Sequence, residues 1–181
     1  MKIIGLKRGT VKLVPYKQQW ERFFEMEKTR IKKAFQNWIL GYNVEIEHIG
    51  STSIPDISAK PIIDILIGVR SSNDEDINWT KEILEKLGYE FMPLACEEDK
   101  LFFALGDDSN RTHHVHVVLY GSTHWNNDLM FRDYLRAHSG IAIEYDQLKK
   151  ELSKKYQNDR KSYTQGKEKF IQSVLEKACK K

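Results

Sequence analysis

The run Glu45-Ile46-Glu47-His48-Ile49-Gly50-Ser51-Thr52-Ser53-Ile54-Pro55, followed by Lys60-Pro61-Ile62-Ile63-Asp64-Ile65-Leu66-Ile67-Gly68-Val69, reads as strand, small-residue turn, strand. In the second strand Ile63, Ile65 and Ile67 share one face, while Asp64 points with Ile62, Leu66 and Gly68. Both faces are largely apolar, which marks a central strand covered on both sides. Asp64 is the exception, and a carboxylate placed there needs a metal, a cationic partner or several donors to offset its desolvation. Lys60, four residues earlier, is one candidate. The Gly50-Ser51-Thr52-Ser53 turn offers a permissive backbone and three hydroxyls, suited either to approaching a phosphate or to bonding its own backbone.

Outward from this stretch, Val11 to Val14 alternates like a short strand ended by Pro15. From Gln18 to about Trp38, Trp20, Phe23, Phe24, Ile31, Ala34, Phe35 and Trp38 recur at helical spacing and predict a long amphipathic helix whose aromatic stripe is core. Gly41-Tyr42-Asn43 punctuates before the opening strand, and Ser71 to Asp76 is a polar loop leading to a second helix closed by Gly88. Tyr89 to Leu94 and Lys100 to Leu105 flank the acidic Glu97-Glu98-Asp99 and predict a hairpin. His113 to Leu119 is a further strand, with His114 and His116 on one face and Val115, Val117 and Leu119 on the other. A helix from Trp125 to His138 with Asn126 or Asn127 as its cap, a break at Gly140, a helix from Ile141 to Tyr156 and a last one from about Tyr163 to Ala178 complete the chain.

This order predicts one α+β domain over residues 1–181: a mixed sheet flanked by helices, with a helical C-terminal part. The chain has 181 residues, 40% hydrophobic and 30% charged, and a net charge of +3, the composition of a folded globular protein. Two distant cysteines suggest neither a disulfide framework nor a zinc knuckle. The N-terminus lacks the apolar core of a signal peptide and no run is long enough to span a bilayer, so a cytoplasmic protein with no membrane partner is expected. Residues 147–181 carry eleven Lys or Arg against four Asp or Glu. That basic tail reads as a solvated helix face, with an anionic ligand or nucleic acid as the functional alternative.

Three groups could carry chemistry. Asp64, His114 and His116 have the side chains of divalent-metal ligands, and a His-x-His strand presents both rings on one side, although the same pair can simply be hydrogen-bonded to its neighbours. Arg132 and Arg136 stand one helical turn apart and suit phosphate recognition or, alternatively, intramolecular salt bridges. No Walker or dinucleotide fingerprint is present.

Ile46 to Pro55, Ala59 to Ile65, His114-Val115-His116-Val117 and Phe131-Arg132-Asp133-Tyr134-Leu135-Arg136, in that order, resemble the GrpB family, with the similarity running from about Val11 to Phe170. The family is similar to the nucleotidyltransferase superfamily, in which a Gly-Ser turn precedes an Asp-x-Asp strand whose carboxylates hold two Mg²⁺ ions. The resemblance implies that Gly50 and Ser51 form a phosphate turn and that Asp64 is the first metal carboxylate and the catalytic residue. Leu66 stands where the second carboxylate would be, which weakens a two-metal mechanism. With His116 and His114 on the later strand the site would be softer and less anionic, which favours one transition metal or none over two Mg²⁺ ions; a divalent ion (Mg²⁺, Mn²⁺ or Zn²⁺) is the cofactor considered.

The leading expectation is metal-dependent nucleotidyl or phosphoryl transfer to a small acceptor. Asp64, His114 and His116 would sit at the ion, and Gly50, Ser51, Thr52, Ser53, Lys60, Arg132 and Arg136 would hold phosphates. The alternative is a non-catalytic module binding a nucleotide or another phosphorylated small molecule. Nucleic acid is not the expected partner, and the oligomeric state is left open.

Overall fold

The computed structural model describes residues 3–38, 44–71, 73–97 and 99–180. Among them, five strands form one mixed sheet in the order β1-β2-β5-β4-β3. They are β1 (Glu45–Ile49), β2 (Ile63–Val69), β3 (Tyr89–Phe91), β4 (Lys100–Leu105) and β5 (His113–Leu119). The β2/β5 pair is parallel and the other three pairs are antiparallel. As the alternation requires, β2 is buried on both faces. Ile63, Ile65 and Ile67 join Val115, Val117 and Phe103 beneath α1 (Gln19–Trp38) and α2 (Asp74–Lys86), through Trp20, Phe24, Ile31, Phe35, Ile83 and Leu84. On the other face Leu66 packs with Ile49, Val118 and Trp125.

That second face is roofed by α3 (Thr123–Ala137), α4 (Ser139–Lys155), α5 (Arg160–Gln165) and α6 (Glu168–Ala178). Leu135, Ala142, Tyr145 and Val174 build a satellite core there with Ile54 and Ile57 from the segment between β1 and β2. The C-terminal helices are therefore anchored to the loop that carries the Gly-Ser turn.

The α+β architecture, the central position of β2 and the two-strand hairpin agree with expectation. Several boundaries do not. Val11 to Val14 forms no strand: only Val14 makes a bridge, to Ala59, because Pro15 stops the ladder and the preceding residues bond elsewhere. Residues 3–14 instead run across the end of the sheet as a strap. It is held by Gly5 N to Pro61 O at 2.7 Å, Arg8 N to Asp108 O at 2.8 Å and Val11 N to Gln157 O at 2.8 Å. Strand β3 ends at Phe91, and Pro93 to Ala95 turns as a short 3-10 helix, since proline has no N–H for the ladder.

Helix α3 starts at Thr123, capped by Ser122, whose hydroxyl accepts from Trp125 N at 3.3 Å; neither Asn126 nor Asn127 is the cap. The break before α4 falls at His138, and Gly140 lies inside α4. The last helix is two, divided at Gly166 and Lys167. Gly41, Tyr42, Asn43, Ser72 and Glu98, together with the side chain of Trp38, lie outside the described residues.

Candidate functional site

The turn after β1 is built around the carboxylate it faces. Gly50 adopts φ +69°, and a Cβ there would fall 2.5 Å from Asp64 Oδ2, so only glycine fits both the backbone and the contact. Ser51 to Ser53 then makes one 3-10 turn whose hydroxyls are engaged locally. Ser53 Oγ donates to Gly50 O at 2.7 Å, and Thr52 Oγ1 lies 3.0 Å from His48 Nε2. His48 sits under the turn, stacked on Phe24 at 4.6 Å between ring centres, and burial brings it down to about 4, so it is neutral. From above, Arg136 Nε donates to Ser53 O at 2.9 Å. The turn is thus held rigid from both sides, and the Thr52 and Ser53 hydroxyls are consumed in holding it.

Asp64 and His114 are register partners on the parallel β2/β5 pair, which puts their side chains next to each other. His114 Nδ1 lies 3.0 Å from Asp64 Oδ1, and Arg160 Nη2 lies 3.5 Å from the other ring nitrogen. Burial favours the neutral imidazole. One tautomer satisfies both contacts: Nδ1–H donates to the carboxylate, and Nε2 accepts from the guanidinium. Burial pushes the Asp64 carboxyl up, but the hydrogen bond from His114 and the nearby positive charge of Lys60 outweigh it and hold the group well below the usual carboxylate range. Asp64 is therefore an ionised group, 28% exposed at its side chain.

Around this single carboxylate gather Lys60, Arg160 and Lys167. Burial, reinforced by Arg160 and Lys167 and opposed by Asp64, brings the Lys60 ammonium down to about 7. Burial likewise lowers Arg160 and Lys167, again against the pull of Asp64. The Lys60 and Lys167 ammoniums lie 5.6 and 4.9 Å from the ring centre of Tyr163. Among the described residues, none of the three cations has a carboxylate within 4.0 Å. Next to them opens a recess of about 370 Å³ lined by His116, Arg160, Lys100, Phe102 and Met92. A larger cavity, about 940 Å³, lies under residues 6–16 and beside Asp56 and Asp146, but it touches none of the groups around Asp64.

The donor set does not fit a two-metal centre. Leu66 is fully buried, Asp64 and His114 are bonded to each other, and the free nitrogen of His114 faces a guanidinium. Glu47 is the carboxylate directly across from Leu66, and Arg132 holds it with Nη1 2.6 Å from Oε2. His116 is held neutral at about 3 by burial and by Lys100. Among the described residues no group of three or more His, Cys, Asp or Glu could hold a metal ion. The surrounding charge is positive, which suits an anion better than a cation.

Of the residues picked out from the sequence, the structure brings together Gly50, Asp64, Lys60, His114 and His116. Arg132 and Arg136 play different parts. Arg132 is buried, paired with Glu47 and Asp133 and donating to His48 O at 3.0 Å, whereas Arg136 braces the turn. Sequence reasoning missed Arg160, Lys167, Tyr145 and Tyr163. The signal was the basic tail, most of which is solvated as expected: Lys154, Lys155, Lys161, Lys169 and Lys177 are exposed.

Comparison with solved structures gives the class. The chain matches the Cid1 poly(U) polymerase with Mg 3'-dATP bound at a TM-score of 0.50, over 84% of this chain and 49% of that one; at 11% identity this is a likeness of fold alone, and the fold is nucleotidyltransferase-like. At closer range the profile of GrpB protein matches residues 10–177, and the chain belongs to the GrpB family. It is 39% identical to the glutamate-rich protein GrpB of Alkalihalophilus pseudofirmus, across 96% of this chain and 98% of that protein. It is 40% identical to the UPF0157 protein YqkA of Bacillus subtilis, across 93% of this chain but only 47% of that protein. The crystal structure of the conserved protein GrpB from Enterococcus faecalis superposes with a TM-score of 0.79 at 33% identity, over 93% of this chain and 98% of that one.

Proposed function

We propose that the site beside Asp64 binds the phosphate groups of a nucleotide or another phosphorylated small molecule, through Lys60, Arg160 and Lys167. The observation that carries this reading is the charge count. Three half-buried cations gather around one ionised carboxylate, and none of them has a carboxylate within 4.0 Å among the described residues, an arrangement that a polyanion would stabilise. Asp64 keeps the three cations converged and fixes His114, which in turn receives Arg160. The Gly-Ser turn contributes as scaffold: its rigid backbone sets the position of Asp64.

A second reading, transfer of a nucleotidyl or phosphoryl group with a divalent ion at Asp64, is favoured by one feature, the ionised and partly open carboxylate under Gly50. Calorimetric titration with the four nucleoside triphosphates separates the two. Binding in the presence of EDTA, weakened in Lys167→Gln, is expected from the first. Binding only after Mg²⁺, Mn²⁺ or Zn²⁺ is added, with turnover abolished by Asp64→Asn, would replace it with the second.

A further inference from the structure

The recess beside the cation cluster has walls of two kinds. Met92, Ala95 and Phe102 are apolar, whereas Glu97 and Lys100 present an acceptor and a donor; Gly9 and Arg8, the latter paired with Asp108 at 3.3 Å, complete the rim. His116 forms the side nearest Asp64, with its ring centre 5.0 Å from that of Phe102. Arg160 belongs to both places, lining the recess while contacting His114 Nε2. The volume, about 370 Å³, falls in the range of small-molecule pockets, about 300–1,000 Å³.

We infer that this recess is a ring subsite, taking the nucleobase of a nucleotide whose phosphates lie on Lys60, Arg160 and Lys167; the inference rests on the phosphate-binding reading of the Asp64 cluster. A flat heterocycle is the chemistry that uses both the apolar wall and the Glu97 and Lys100 groups. Its faces lie against the thioether of Met92 and the Phe102 and His116 rings, which offer sequence-tolerant stacking surface. Its edge carries both hydrogen-bond acceptors and N–H donors, matching Lys100 and Glu97 respectively. A phosphorylated sugar without a ring base would leave the apolar wall wet and gain little from it. Burial keeps His116 neutral, so the ring meets an imidazole face instead of a second cation. Lys100 is already fixed by Asp128, with Nζ 2.8 Å from Oδ2, so its donor geometry is set before a ligand arrives.

Ala95 is exposed, belongs to the short 3-10 turn and lies outside the cation cluster, so a tryptophan there fills the recess without disturbing the core. The test measures the affinity of wild type and Ala95→Trp for inorganic pyrophosphate, ribose 5-phosphate and the four nucleoside triphosphates, in EDTA, with circular dichroism to verify folding. The expected result is that at least one triphosphate binds about tenfold or more tighter than pyrophosphate, that ribose 5-phosphate does not share this gain, and that Ala95→Trp removes it while pyrophosphate binding persists. If all triphosphates bind no better than pyrophosphate, or if Ala95→Trp leaves their advantage intact, the ring subsite is overturned and the phosphate site stands. If neither pyrophosphate nor any triphosphate binds, both are overturned.

Discussion

At the scale of single residues, the site depends on a few positions with no freedom. Gly50 combines a positive φ with a van der Waals approach to Asp64. Gly50→Ala is therefore expected to destabilise the fold by about 1–3 kcal/mol, read as a shift in the urea midpoint, and to weaken phosphate binding by displacing the carboxylate. Lys60 supplies a pH dependence of definite sign. Burial, with Arg160 and Lys167 beside it, brings its ammonium down to about 7, so the charged form gives way to the neutral one as pH rises through that value and its contribution to anion binding fades. Because the ligand gains charge over the same interval, the informative quantity is the affinity ratio of Lys60→Arg to wild type. That ratio should stay near one at about pH 6 and approach about tenfold at about pH 8, and a flat ratio would count against Lys60 as a phosphate ligand. Asp64 was legible from the sequence because a charge interrupts an apolar strand. The division of labour between His114 and His116 was not, since it depends on which of them faces Asp64 across a parallel register. Arg132 and Arg136 look equivalent one turn apart, yet only the first meets a carboxylate on β1, that of Glu47.

At the scale of elements, the long amphipathic helix, the central strand and the His113–Leu119 strand could be read directly, because their periodicity reports burial that the tertiary structure then satisfies. The C-terminal helices could not, because their boundaries are set by caps and close approaches. Gly166 is needed where a Cβ would come 2.5 Å from Leu152 Cδ2, and the chain divides there into α5 and α6. That division matters for the site: Arg160 opens α5 and Lys167 precedes α6, so two short helices aim two cations at Asp64 where one continuous helix would carry them past it. Asp159 caps α5, accepting from Ser162 N at 3.0 Å and from Ser162 Oγ at 2.6 Å. Asp159→Ala should cost about 0.5–2 kcal/mol of stability and should speed amide exchange in residues 160–165 before the rest of the chain. If exchange there is unchanged, Arg160 is held by contacts other than the α5 cap.

At the scale of the whole molecule, a mixed sheet separates two layers with different tasks. The α1 and α2 face is an apolar core, while the opposite face gathers Asp64, His114, His116 and the roof of C-terminal helices. Among the described residues no helix is long and apolar enough to cross a membrane. The net charge of +3 understates what the fold does with charge, since part of the basic tail turns inward. Sequence composition reports the surplus but not its direction, and direction comes only from packing. If binding is electrostatic, affinity for pyrophosphate should fall with added NaCl, but less steeply than for an open basic surface, because half-buried charges are screened less. The most direct measurement is equilibrium dialysis of radiolabelled pyrophosphate in EDTA against wild type and Lys167→Gln. Saturable binding to wild type at one site per chain is expected, with an affinity about tenfold or more weaker in the variant, a difference of about 1.4 kcal/mol. Wild-type protein that binds no pyrophosphate without metal, or a variant that binds as tightly as wild type, would contradict the phosphate-binding reading.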